Sequence, residues 1–365
     1  MNVVRRGNIL RKSAGRISGD LRGSTGLVGR ATIVDVAQKA GVSVATVSRV
    51  VNGNYPVREC TRKKVQEAIS ALRYVPNIQA RELNTRHSSS VGVVVPSFYN
   101  MYFAEIVDGI EEMLHRNGFS MLLTCMQNNA VLERECVRNL VSRNVSGIIL
   151  ASPDTENVGA EFYDLTSRQV PLVFVNSPLS ISNASHVSND EHAGMILALE
   201  HLYDIGHRRI LLVCGDNGGA YLMKKMAYRE FMDSKGLYTE ENIINIGDGN
   251  SIDAAERTER LLEGRLGNPL SATAACCCND VMACGVLNAA RHAGLSVPEQ
   301  FSVTGFDNTP LSRYVDPEIT TVDQNMAKLG HVAVKLLLEK IETGKDRNVV
   351  LENHLVMRKS TGFLS

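Results

Sequence analysis

Seven short apolar runs dominate the chain beyond residue 90: VGVVVPS (91–97), SMLLTC (120–125), SGIIL (146–150), PLVFVN (171–176), RILLVC (209–214), TAACCC (273–278) and FSVTGF (301–306). Each is far shorter than a membrane span and is continuous rather than alternating, the pattern of a strand covered on both faces. Stretches with helical spacing separate them, at 103–117, 131–143, 192–205, 227–234, 254–263 and 281–293. Strand and helix in regular alternation predict parallel sheets with helices on both sides. Residues 91–365 are too many for one such sheet. Two doubly wound parallel-sheet subdomains are expected, with a ligand cleft where their strand ends meet.

A different pattern precedes them. In TIVDVAQKAGVSVATVSRVVNGN (32–54), Thr32 can cap a helix whose N-terminus Asp35 favours, and Val36, Ala37 and Ala40 form its apolar stripe. Gly41 permits a turn and Ser43 caps a second helix. Val47, Val50 and Val51 of that helix face inward, whereas Ala45, Ser48, Arg49 and Asn52 share the opposite face. A third helix is predicted over 61–72, with Val65, Ala68, Ile69 and Leu72 on one stripe and Arg62, Lys63 and Lys64 grouped near its start. Helix, glycine turn and capped second helix have helix-turn-helix spacing. Small side chains at Ala45 and Ser48 allow close approach to base edges, and Arg49 can offer paired donors to guanine. Ser43, Thr46 and Asn52 suit phosphate or base contacts.

Charge divides the chain at the same place. Residues 1–90 carry 16 Lys and Arg against 5 Asp and Glu, leaving 23 against 34 of the chain's 39 and 39 for the remainder. A basic head on an acidic body points to a polyanionic partner for the head. The Gly-, Arg- and Ser-rich residues 1–30 are expected to be a disordered basic extension. No methionine lies between Met1 and Met101, so an alternative start near Leu27 or Val28 would leave residues 1–27 outside the native protein. Residues 31–75 form the head, 76–90 a hinge with a short helix near 78–84, and 91–365 the body. The basic N-terminus lacks the apolar centre of a secretory signal, which implies a cytoplasmic protein. Eight cysteines without C-x-x-C pairing read as reduced, mostly buried thiols rather than metal ligands.

Together the motifs resemble the lactose-repressor (LacI) family of bacterial transcription regulators over nearly everything from Thr32 to Gly362. TIVDVAQKAGVSVATVSRVVNG (32–53) looks like its helix-turn-helix, and YVPNIQARELNTRHSSSVGVVVP (74–96) resembles its hinge and first body strand. NMYFAEIVDGIEE (100–112), VSGIIL (145–150), EHLYDIGHRRILLV (200–213), CNDVMACGVLNAARHAGLSVPEQFSVTGFDN (278–308) and DPEITTVDQNMAKLG (316–330) follow in the family's order. The resemblance implies a homodimer on a pseudo-palindromic double-stranded operator, without a membrane partner. It assigns base readout to Val44, Ala45 and Arg49, and the phosphate-facing surface to Thr32, Ser43, Thr46, Ser48 and Asn52. Asn77 can cap the hinge helix, and Ala80, Leu83 and Asn84 fall in it, where Leu83 matches a leucine that wedges into the minor groove.

For the body, the resemblance implies a periplasmic-binding-protein-like core whose chain crosses between subdomains near residues 188, 307 and 323. One subdomain would hold 91–188 and 308–322, the other 189–307 and 323–365. Tyr102, Phe103, Asn176, Lys224 and Asp280 match effector-binding positions, and the effector is expected to be a sugar or sugar derivative. Lys224 stands where the family usually has arginine, and Asn176 where aspartate is common. One carboxylate fewer beside a retained cation favours an acidic ligand, such as a sugar acid or sugar phosphate. Asp280 could instead cap the helix that follows it. The glycine-rich GDNGGAY (215–221) is neither a G-x-G-x-x-G nor a P-loop, and no catalytic or metal-ligand spacing stands out, so no enzyme activity or cofactor is expected. The alternatives keep the DNA-binding function but place it under a protein co-repressor or under oxidation of Cys276, Cys277 and Cys278. No leucine heptad follows the last body segment, which favours a dimer over a tetramer.

Overall fold

The computed structural model describes residues 31–53, 55–76, 88–158, 161–177, 181–216, 219–249, 252–267 and 272–364. The expected extension 1–30 and the hinge positions Asn77, Ala80, Leu83 and Asn84 lie outside the described residues. The chain divides into two compact units between residues 85 and 86.

The first unit contains three helices among its described residues: α1 (Ile33–Ala40), α2 (Val44–Asn52) and α3 (Glu59–Leu72). Local chemistry sets their ends. The Asp35 carboxylate accepts from the Thr32 amide at 2.7 Å and the Thr32 hydroxyl at 2.8 Å, and the Asp35 amide donates back at 3.3 Å, closing a capping box. These bonds, the backbone one first, hold the Asp35 carboxyl below the usual carboxylate range. Gly41 then turns at φ +65, a conformation that disfavours any side chain with a Cβ. Ser43 caps α2 by accepting from the Thr46 amide. Val36, Ala37, Val47, Val50, Val65 and Ala68 are buried together, with Val51, Ile69 and Leu72 packed around them. α3 starts at Glu59, two residues before the predicted start, with no side-chain cap.

Two six-stranded sheets build the second unit. The first contains β1 (Ser90–Val95), β2 (Ser120–Cys125), β3 (Gly147–Ala151), β4 (Leu172–Val175), β5 (Ser185–Asn189) and β11 (Asn348–Leu351), in the order β11-β5-β4-β3-β1-β2. The second contains β6 (Ile210–Cys214), β7 (Ile243–Asn245), β8 (Ala274–Cys277), β9 (Ser302–Asp307), β10 (Thr320–Asp323) and β12 (His354–Val356), in the order β12-β10-β9-β8-β6-β7. Every pairing is parallel except β10 with β12. The longer helices are α4 (Met101–Arg116), α5 (Ala130–Ser142), α6 (Glu191–Asp204), α7 (Gly219–Ser234), α8 (Ala254–Leu262), α9 (Asp280–His292) and α10 (Met326–Thr343). All seven apolar runs are strands. Separate cores fill the two faces of the first sheet, as double winding requires.

The chain passes from the first lobe to the second between Asn189 and Glu191, back between Asp323 and Met326, and out again between Leu351 and His354. Crossings near 188 and 323 are where they were expected, but the one expected near 307 is not made and the third lies near 352 instead. Residues 308–322 do not return to the first lobe, because Thr320–Asp323 pairs in register with Thr304–Asp307 of β9. Residues 323–365 are not all second lobe either. Met326, Leu329, Ala333, Val334 and Leu337 of α10 bury against Ile106 and Ile110 of α4 in the first core. Sequence spacing marks a crossing but does not say which sheet edge the next strand joins.

Candidate functional site

On the head, Val44, Ala45 and Arg49 of α2 are exposed on one face, opposite buried Val47 and Val50. The polar residues around them are engaged locally. Ser43 and Thr46 hydroxyls lie 2.9 Å apart, and Asn52 Nδ2 donates to Ser48 Oγ at 3.2 Å. Thr32 is held in its capping box. Arg49 places its guanidinium 5.4 Å from the exposed Tyr55 ring, which steadies the side chain without occupying its hydrogen-bond donors. Exposed Lys63 and Lys64, with half-buried Arg62, crowd the first turns of α3, where the helix dipole opposes cations. An anion bound there would relieve that opposition.

In the second unit, one pocket is lined by Asn100, Tyr102, Phe103, Ser152, Pro153, Asn176, Glu191, Gly219, Ala220, Tyr221, Lys224, Cys278, Asn279, Asp307 and Gln324. Most of these lie just past the carboxyl ends of strands of both sheets, where open α/β sheets bind ligands. Asn100 caps α4 by accepting from the Tyr102 amide at 3.0 Å, which starts the helix at Met101 and sets the Tyr102–Phe103 pair edge to face, 5.1 Å apart. Asn176, at φ +51, donates to the Tyr102 hydroxyl and to Glu191 at 3.4 Å, and accepts from the Asn189 amide at 3.0 Å.

Lys224 is 3% exposed. Its Nζ lies 3.1 Å from Glu191, donates to the Cys278 carbonyl at 2.9 Å and sits 3.6 Å from the Phe306 ring centroid. Burial works against its charge, but Glu191 and Asp307 hold its pKa above the ordinary lysine value. Asp307, at φ +106, accepts from Gln324 Nε2 at 2.7 Å. Burial drives its carboxyl well above the usual range, opposed by Lys224 and reinforced by Asp280 and Glu191. The Gln324 Oε1 atom is buried without a hydrogen-bond partner.

Two sequence expectations are corrected here. Asp280 does not reach the cleft. Its carboxylate accepts from the Thr309 amide and hydroxyl at 2.7 and 2.8 Å and from the Thr321 hydroxyl at 2.6 Å, clasping the segment after β9. Burial pushes its pKa up to about 6 against those hydrogen bonds. Its neighbour Asn279 lines the cleft and caps α9, accepting from the Met282 amide at 2.8 Å. The free cation on which the expectation of an acidic ligand rested is also gone, because Glu191 pairs with Lys224. Sequence reasoning missed Glu191, Asn279, Asp307 and Gln324. Asp307 had a usable signal: it ends the run FSVTGFD, and strand C-termini face the cleft. Cys276, Cys277 and Cys278 are fully buried, and burial raises their thiols, to about 11 for Cys276. Such thiols are poor nucleophiles.

Residues 32–77 match the model of bacterial regulatory proteins of the lacI family, and residues 199–361 match a periplasmic binding protein-like domain. Catabolite control protein A of Priestia megaterium is 35% identical over 334 residues, covering 90% of this chain and 99% of that protein. This chain belongs to the lacI family. A second lacI-family relative, the HTH-type transcriptional repressor PurR of Pasteurella multocida (strain Pm70), is 34% identical over 339 residues, covering 90% of this chain and 98% of that protein. The lac repressor dimer bound to operator and the anti-inducer ONPF superposes with a TM-score of 0.79 at 28% identity, covering 91% of this chain and 99% of that one. The chain is thus a lacI-family DNA-binding transcriptional repressor regulated by a small-molecule ligand, and not an enzyme. Among the described residues, no helix is long and apolar enough to cross a membrane.

Proposed function

We propose that the protein is a cytoplasmic homodimer that binds a pseudo-palindromic operator through α2 and releases or tightens it when a neutral sugar-like effector occupies the cleft. The observation that carries the DNA assignment is the face of Val44, Ala45 and Arg49, exposed while the polar residues around it are already hydrogen-bonded. Val44, Ala45 and Arg49 read bases, and Thr32, Ser43, Thr46, Ser48 and Asn52 face phosphates. Asn77, Ala80, Leu83 and Asn84 enter this reading through the resemblance alone. In an operator-variant panel, Arg49→Ala is expected to relax specificity at one base position, by roughly 1–3 kcal/mol. Lys63→Ala should weaken all sequences about equally and reduce the salt slope by about 1. The same sequence-blind loss in both variants would contradict these roles.

Acceptors dominate the cleft. Its one lysine is already paired, the Asp307 carboxyl accepts from Gln324 Nε2, and Gln324 Oε1 lacks a donor. Hydroxyl donors on a neutral ligand satisfy that arrangement, with Tyr102 and Phe103 as an apolar wall and Asn176 and Lys224 fixing the floor. An anionic ligand would meet no free cation, because Lys224 is paired with Glu191. Calorimetry of the intact protein against matched neutral and acidic pentoses and hexoses is expected to detect only neutral ligands. Asp307→Asn should weaken the best of them by about tenfold or more. Binding confined to the acidic members would overturn this ligand class.

A further inference from the structure

We infer that Asn128 and Asp248 form a latch between the two lobes, at the sheet edge opposite the crossings. Asn128 Nδ2 donates to both carboxylate oxygens of Asp248, at 3.2 Å each. Asn128 follows β2 in the first lobe, and Asp248 follows β7 in the second. Each of these strands is the last in its sheet, at the end away from β11 and β12. The interlobe crossings lie beside β5, β10, β11 and β12, so they act as the hinge, and the latch sits on the far edge. A rotation about a hinge displaces the opposite edge most. A hydrogen bond there is therefore broken by a small opening angle that leaves the crossing strands paired.

Both halves are built to transmit motion. Gln127 and Asn128 have φ of +53 and +51, and the turn is held by Asn129, whose amide donates to the Met126 carbonyl and whose side chain caps α5. Arg257 grips the other side, donating to the Ile246 and Asp248 carbonyls at 3.0 and 2.8 Å. The adjacent Gly249 carbonyl accepts from Asn279 Nδ2 at 3.1 Å, and Asn279 also donates to the Tyr221 hydroxyl at 3.2 Å. Asn279 and Tyr221 line the cleft, so an occupant that shifts either side chain bears directly on the Asp248 loop. A Cβ on Gly249 would meet Tyr221 and Met282, so little slack remains between them.

The latch rests on reading the cleft as the effector site, and hydrogen exchange separates the two because it needs neither operator nor ligand. In the intact protein, Asn128→Ala and Asp248→Ala are each expected to speed amide exchange at residues 100–103 and 277–280 about tenfold. The double variant should exchange more slowly than the product of the two single effects, since both remove the bond they share. Unchanged rates, or rates that multiply in the double variant, would overturn the latch. Operator affinity is the second measurement: both single variants should move it in one direction. Opposite directions would likewise exclude a shared latch, whereas absence of any operator binding by the unmodified protein would strike the DNA assignment and leave the exchange result standing.

Discussion

Replacing Lys224 with alanine is expected to remove about 3–5 kcal/mol of stability, out of proportion to an ordinary lysine substitution. The ammonium is held at 3.1 Å by Glu191, at 2.9 Å by the Cys278 carbonyl and against the face of Phe306. Without it, the Glu191 carboxylate, only 8% exposed in the intact protein, loses its cation. A charge left buried and unpaired is far more destabilising than the loss of the pair itself. The double variant Lys224→Met, Glu191→Gln removes both charges and should recover most of the loss. Urea unfolding gives the answer as midpoints. If the double variant were as unstable as Lys224→Ala, the ion pair would not be what Lys224 contributes. The same comparison separates structure from ligand binding, because calorimetry on the double variant asks whether the ligand needs the ammonium at all.

Gly330→Val is expected to destabilise the first lobe by about 3 kcal/mol or more, through overpacking rather than a cavity. A Cβ at residue 330 would stand against the Ile106 carbonyl and 2.8 Å from the Ile110 amide nitrogen, and one at Gly109 would meet the Ala327 carbonyl. Both obstacles are backbone, so no side chain can turn aside. α4 and α10 would have to separate, opening the contacts among Ile106, Ile110, Leu329 and Ala333. Gly344→Ala is the comparison: Gly344 sits at φ +71 with open space around it, and its variant should lose about 1 kcal/mol from backbone strain alone. Equal urea midpoints for the two variants would refute the close helix contact.

The close approach of α4 and α10 also shows where sequence reading stopped. Six of the seven apolar runs identified their strands because a strand buried on both faces writes its environment into consecutive residues; the seventh, β2, is a half-exposed edge strand whose apolar run was still long enough to read. Strands β5, β7, β10, β11 and β12 carry polar residues or lie at sheet edges, and their apolar signal is too weak to separate from loops. Helix α10 was legible only as part of a family motif. Its 18 residues include an apolar stripe, but nothing in that stripe names the sheet it covers. Among the cleft residues, Tyr102, Phe103, Asn176 and Lys224 could be located by position. Lys224 still misled as to charge, because its partner Glu191 is 33 residues away and on another helix.

What the amino-acid order determined by itself is the head and its exposed face. Caps at Thr32 and Ser43, the turn at Gly41 and the outward set Val44, Ala45 and Arg49 are decided by neighbours within four positions, the range over which helical geometry acts. Only the tertiary structure decided the cleft. Asp280 is drawn into the clasp with Thr309 and Thr321, Asp307 and Gln324 come to face the ligand space, and Asn128 meets Asp248 across 120 positions. Those outcomes depend on which strand edges pair and where two sheets end relative to each other, and no local periodicity carries that information.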